Sequence, residues 1–187
     1  MENFWKDLSR AYSDAIGHLV SAGCTYFQID DVNSANIADE NWQAFWRGRQ
    51  QKPEALVDAF IATNNAAIEN RPRDVTAVVH MCRGNYQSQW TAQGSYEMVA
   101  ERYFNQSKVD GFFLEYDDER SGDFAPLRFM PKDKIVVLGL IVIPLGTSNA
   151  QRSRDRVADT TATARLTWPG STSWGYPRPP QSRGPPP

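Results

Sequence analysis

Val75-Thr76-Ala77-Val78-Val79-His80-Met81-Cys82-Arg83-Gly84-Asn85 is the stretch on which the reading of the fold turns. Its first five residues are mostly apolar and β-branched, the composition of a buried strand. Residues two apart in a strand point to the same side, so His80 and Cys82 present an imidazole nitrogen and a sulfur to one point in space. Those are borderline and soft donors of the kind zinc accepts. Gly84-Asn85 is a turn signal, which puts the pair at the C-terminal end of the strand. In parallel α/β folds, ligands bind at that end.

Upstream, residues 3–22 carry apolar side chains at helical spacing (Phe4, Leu8, Tyr12, Ala15, Ile16, Leu19, Val20), and Gly23 is placed to end that helix. Thr25 to Ile29 reads as a short strand ending in Asp30-Asp31. A helical region in two pieces follows, one around Asp39 to Gln50 and one from Pro53 to about Ile68, with Pro53 suited to a first turn. Downstream, Tyr96 to Phe104 is amphipathic, and residues 111–116 and 135–140 are two more strands. Strands separated by helices imply right-handed parallel crossovers. The expected fold class is therefore α/β, with about four parallel strands, as in part of a (β/α) barrel or a doubly wound sheet. Three of those strands end in reactive residues: Asp30-Asp31, His80 with Cys82, and Glu115 with Asp117 and Asp118. A parallel sheet gathers them on one side.

The chain has 187 residues, enough for one domain, and a formal net charge of -2, which gives no drive towards nucleic acid or an anionic membrane. Two cysteines make no disulfide framework and favour a reducing, cytoplasmic setting. The first residues lack the pattern of a secretory signal, and the apolar run Ile135 to Leu145 is too short to span a bilayer. Composition changes near residue 147. Seven of the twelve prolines follow Trp168, and six arginines stand against Asp155 and Asp159 after Thr147. Residues 147–187 are thus expected to be a disordered tail after an organised domain of residues 1–146, with a proline-rich adaptor ligand as the functional alternative.

Each candidate also has a purely structural reading. A buried Cys is commonly a small hydrophobe, and a strand-end His often only satisfies a carbonyl. Glu115 strengthens the metal reading, because a carboxylate directly after Phe112-Phe113-Leu114 is costly to bury unpaired. Asp30 and Asp31 either cap the next segment or supply a carboxylate for a cationic substrate group. Asp117, Asp118 and Glu119 look like a solvated acidic turn, beside which Arg120 and Ser121 can bind an anion. Cys24 is expected to pack rather than to ligate, and Trp5, Trp42, Trp46 and Phe60 are expected to face the core.

Tyr26-Phe27-Gln28-Ile29-Asp30-Asp31, the segment Val79 to Asn85, and Phe113-Leu114-Glu115-Tyr116-Asp117-Asp118-Glu119-Arg120-Ser121-Gly122 together resemble the catalytic domain of cobalamin-independent methionine synthase. The likeness is greatest to the shorter, single-domain relatives of that family, and it covers about residues 3–141 in order. It implies a (β/α)8 TIM-type barrel, here partial, with strands expected before Met1 and after Leu140. It also implies a zinc-dependent transfer of the methyl group from 5-methyltetrahydrofolate, in its polyglutamate form, to the homocysteine thiol to make methionine. On these positions the zinc ligands would be His80, Cys82 and Glu115, and the group that binds the amino group of homocysteine would be Asp30. The family's fourth zinc ligand is a second Cys near the last strands, and this sequence has none after Cys82. The partners implied are small molecules, homocysteine and methyltetrahydrofolate, with no nucleic acid or membrane. Three readings follow: an impaired methyltransferase of this type, transfer to a different thiol, or a non-catalytic remnant that serves only as an interaction partner.

Overall fold

Gly23 takes a left-handed backbone (φ 94°), and across it the Cys24 N–H donates to the Leu19 carbonyl at 3.0 Å, which closes helix α1 (Glu2–Ser21). The computed structural model describes residues 2–86, 89–117 and 119–140. After α1 come β1 (Tyr26–Asp30), α2 (Val32–Asn36), α3 (Glu40–Gly48), α4 (Pro53–Ile68) and β2 (Thr76–Met81). Two short strands follow, β3 (Asn85–Tyr86) and β4 (Gln89–Trp90), then α5 (Glu97–Gln106), β5 (Gly111–Glu115) and β6 (Ile135–Gly139). Single 3-10 turns at Glu119–Ser121 and Ala125–Phe129 lie between the last two strands.

Four strands form one parallel sheet in the order β1-β2-β5-β6, while β3 and β4 pair antiparallel apart from it. This is the mixed α/β architecture expected, with the parallel sheet of a partial TIM-type fold. The expected boundary at residues 146 and 147, and the tail after it, lie outside the described residues.

Parity along the strands decides what each face does. Phe27, Ile29, Ala77, Val79, Met81, Phe112 and Leu114 are buried in the core with Ile16 of α1, Ile61 and Ile68 of α4, and Val99 and Phe104 of α5. The alternate residues stand on the other face, which is open at the edge strands, where Tyr26 is 49% and Ile135 54% exposed, and closed at the centre, where Val78 is 2% exposed. The N-terminal end of the sheet is bolted by Arg71, whose Nη2 donates to both Asp110 oxygens at 2.9 and 2.8 Å, while Asp110 Oδ2 accepts from the Ala77 N–H at 2.7 Å.

The apolar stripe of α1 is largely uncovered by the described residues: only Ile16 is buried, and Phe4, Tyr12 and Leu19 are 56%, 48% and 49% exposed. Periodicity reports which side of a helix is apolar, not whether a neighbour covers it. Trp46 and Phe60 face the core as expected, half-buried and packed against it; Trp5 and Trp42 are also half-buried, and α3 has no fully buried residue. Trp5 packs edge-on against Phe60 with ring centroids 5.6 Å apart, joining α1 to α4. Cys24 packs against the core and donates to the Tyr26 carbonyl, as its packing reading requires.

Candidate functional site

The C-terminal end of the parallel sheet brings the candidate residues to one side. Asp30 is the register partner of His80, and His80 of Phe113. Side-by-side partners share a face, so Asp30 and His80 stand together on the open face. Glu115, two residues beyond Phe113, returns to it. Asp30 is exposed and accepts a hydrogen bond from Gln28 Nε2 at 2.8 Å; His80 is half-buried; Glu115 is only 6% exposed.

Cys82 follows β2 and is half-buried. Burial pushes its thiol above the ordinary thiol value, and a backbone hydrogen bond with Gly84 pulls it back. The negative charges of Glu115 and Asp30 raise it further, and the positive charge of Arg120 lowers it. The ends of β1 and β5 therefore both act on the sulfur that follows β2.

The adjacent Asp31 has a different role. It is buried and caps α2: its Oδ1 accepts from the Ser34 N–H at 3.0 Å. Its Oδ2 accepts from Ser34 Oγ at 2.9 Å, from Asn64 Nδ2 at 3.1 Å and from the Tyr103 hydroxyl at 2.5 Å. The capping reading of the pair is thus met by Asp31, which ties α4 and α5 to the end of β1. Tyr103 is held well above the ordinary phenol value by burial and by the Asp31 charge.

Arg83, Tyr96 and Arg120 shape the strand ends, and sequence reasoning had given the first two no role. Arg83 is fully buried. Its Nε donates to the Gly94 carbonyl at 2.8 Å, Nη1 to the Glu115 carbonyl at 2.9 Å and Nη2 to the Ser121 carbonyl at 3.1 Å. Its guanidinium carbon lies 4.1 Å from the Tyr96 ring centroid. The Tyr96 hydroxyl donates to the Met81 carbonyl at 2.5 Å and accepts from the Glu115 N–H at 3.0 Å. That phenol sits between the ends of β2 and β5, just past their last register pair, Met81 with Leu114, and bridges them there. No local pattern marks either residue, since a buried Arg or Tyr is identified only by its partners.

Glu115 is fully engaged. Oε2 accepts from the Arg83 N–H at 2.6 Å, and Oε1 is paired with Arg120 Nη2. The same Nη2 lies 3.3 Å from Asp117 Oδ2, and the Ser121 hydroxyl donates to Asp117 Oδ1 at 3.0 Å. The side chains of Arg120 and Asp117 are each 9% exposed, so Asp117 is not the solvated turn residue expected. Arg120 and Ser121 serve these carboxylates rather than an outside anion. Asp118 lies outside the described residues.

The donors are of kinds that zinc accepts: a nitrogen, a sulfur and a carboxylate at or just past neighbouring strand ends, with Glu115 buried and Cys82 half-buried. Among the described residues, however, no three His, Cys, Asp or Glu side chains are grouped to hold a metal ion as they stand. The described residues also contain no helix long and apolar enough to cross a membrane.

No family model matches the chain. It is 42% identical over 146 residues to the uncharacterized Bacillus subtilis protein YxjH, covering 78% of this chain and 39% of that protein. It is also 42% identical over 144 residues to the uncharacterized B. subtilis protein YxjG, covering 76% and 38%. A Listeria monocytogenes crystal structure, described as a candidate vitamin-B12-independent methionine synthase, matches with a TM-score of 0.63 and 34% identity over 88% of this chain and 46% of that one. The chain spans less than half the length of each of these relatives.

Proposed function

We propose that the strand-end cluster is the metal-dependent, thiol-activating part of a methyltransferase site, with 5-methyltetrahydrofolate as methyl donor and homocysteine as the thiol acceptor. The observation that carries this reading is that Asp30, His80 and Glu115 stand at the C-terminal ends of neighbouring parallel strands, with Cys82 directly after the second of them. Its likeness to the Listeria structure supports it.

In this reading His80, Cys82 and Glu115 would hold zinc, which would keep a position for a substrate thiol. Bound zinc supplies one thing, a lowered pKa for the acceptor thiol, so that a thiolate is available at neutral pH. The chain's own residues do the rest. Asp30, exposed at the rim, accepts a charge-assisted hydrogen bond from the substrate ammonium and fixes which way the amino acid points. Burial of Glu115 and Cys82 keeps water from the sulfur's inner side. The Tyr96 hydroxyl and Arg83 hold the ends of β2 and β5, and with them the relative position of Cys82 and Glu115.

The test is a metal and activity measurement on the purified chain. Expected are one zinc per chain, lost in His80→Ala and Cys82→Ser, and methyl transfer from methyltetrahydrofolate to homocysteine that Asp30→Ala weakens chiefly through the homocysteine KM. Absence of zinc above background in the unmutated chain would sink the reading. A second reading, a non-catalytic interaction partner, is favoured by one observation, the engagement of both Glu115 oxygens by arginine and backbone donors. It predicts no zinc and no methyl transfer.

A further inference from the structure

Among the described residues, β1 and β6 each have one strand neighbour, so the parallel sheet ends in two free edges. We infer that a second copy of this chain seats on both edges at once, with β6 of each copy pairing parallel to β1 of the other about a two-fold axis that runs along the strands. Two four-stranded sheets then supply the strand count of a closed TIM-type barrel. The inference goes beyond the proposed activity and does not depend on metal binding.

Three observations carry it. First, the backbone groups of the two edges are in phase. The Thr76 N–H donates to the Thr25 carbonyl at 2.9 Å and the Asp31 N–H to the His80 carbonyl at 2.8 Å, so the odd-numbered residues of β1 turn towards β2. Tyr26, Gln28 and Asp30 turn their N–H and carbonyl groups outward. On β6, the Ile135 N–H donates to the Asp110 carbonyl at 2.9 Å and the Gly139 carbonyl accepts from the Tyr116 N–H at 2.8 Å, which leaves Val136 and Leu138 turned outward. A residue in a parallel ladder bonds the two residues that flank its register partner. Two edges can therefore meet with their faces aligned only if their outward residues have opposite parity. They do: those of β6 pack against the core, and those of β1 stand on the other face.

Second, the uncovered apolar surface of the sheet lies along its edges. Tyr26 is 49% and Ile135 54% exposed, whereas Val78 between them is 2% exposed, which favours addition at the edges over a layer stacked on the face. The β6 sequence Ile135-Val136-Val137-Leu138-Gly139 has no charge or proline, the usual devices that keep an edge strand unpaired. Third, the helix layer is uncovered on the same flank. The α1 helix packs on α4, α4 on α5, and α5 on the turn at Ala125–Phe129, so α1 is the outermost element beside β1. Its exposed Phe4, Tyr12 and Leu19 would lie over the seam with the partner's β6, where Leu127 and Phe129 are half-buried in a single copy. Asp30 ends β1 on that free edge, so the partner's β6 supplies the wall that the candidate site lacks there.

Sedimentation equilibrium of the full 187-residue chain at micromolar concentration is expected to show a dimer. A monomer overturns the inference, and an open-ended series of larger species overturns the two-fold closure. Leu138→Pro removes one outward N–H at each seam and no bond within the chain, so dimerisation should weaken about a hundredfold. Tyr12→Lys places a charge on a surface that is 48% exposed in a single copy, and should weaken it about tenfold. Dimerisation of both variants as tight as that of the unmutated chain overturns the seam, and Tyr12→Lys decides alone if Leu138→Pro does not fold. Hydrogen exchange then locates the contact. The outward amides of Gln28 and Val136 should exchange slowly in the dimer and fast in Tyr12→Lys diluted to the monomer, while the inward amides of Ile29 and Val137 stay slow in both. Outward amides that exchange alike in the two samples overturn the edge pairing, because another segment then covers those edges or none does.

Discussion

Asp30 and Asp31 are adjacent in sequence and serve opposite sides of the sheet: Asp30 is exposed at the rim of the open face, and Asp31 is buried, accepting four hydrogen bonds from Ser34, Asn64 and Tyr103. Asp31→Ala removes a helix cap and strands three buried or partly buried donor groups, so it is expected to cost about 3 kcal/mol. Asp30→Ala leaves the fold within about 0.5 kcal/mol, as for a surface site. Urea unfolding of the two variants checks this. Equal losses would show that Asp30 is a structural residue and would remove it from the substrate-binding reading.

Tyr96 links the ends of β2 and β5 through one hydroxyl. Tyr96→Phe leaves the Met81 carbonyl and the Glu115 N–H without that partner, at an expected cost of about 2 kcal/mol. Burial pushes the Tyr96 phenol up to about 12. A folded-state value above the unfolded one of about 10 means that the hydroxyl's contribution is whole below pH ~10 and is lost as pH rises from there towards the folded value. The stability gap between the unmutated chain and Tyr96→Phe should thus be full at pH 8 and smaller at pH 11. A gap independent of pH would contradict the assignment.

Cys82 is expected to be a slow thiol. Its pKa is raised first by burial and then by Glu115 and Asp30, so less thiolate is present at a given pH than in an unfolded chain. In a Cys24→Ser background, iodoacetamide should label Cys82 more slowly than the urea-unfolded chain at pH 8. Glu115→Gln removes one of the negative charges that oppose the thiolate, so labelling should accelerate. Faster labelling in the folded, unmutated chain would reverse the sign of this electrostatic account.

Arg83 spends its guanidinium on three carbonyls and a ring face. Lysine has three donors on a single nitrogen and cannot span carbonyls of three separate segments. Arg83→Lys is therefore expected to destabilise the chain by about 3 kcal/mol despite keeping the charge, measured as a fall in the urea midpoint. Retention of the midpoint would mean that charge alone suffices.

Much of this was legible in the sequence for a definite reason. Apolar runs punctuated by Gly23, Pro53 and Gly84 marked the helices and strands, and the parallel strand order gathered Asp30, His80 and Glu115 at one end of the sheet; that they share a face follows only from the register. What was missed is short or depends on partners. The α2 helix has five residues and no periodicity to read, and β3 and β4 have two residues each. Asp117 looked solvated because a run of charges usually is. It is sheltered because Arg120 and Ser121 fold back onto it, which no spacing rule encodes.

The carbonyl seats of Arg83 also govern when the site can come into being. They lie 11, 32 and 38 residues downstream of it in the chain. A chain growing from its N-terminus can bring β1 and β2 together, with His80 and Cys82 already made, long before those seats exist. Until the turn carrying Ser121 has been made, Arg83 beside Cys82 has only part of its carbonyl seats. The candidate ligands are early in synthesis, and their geometry is among the last things folding settles.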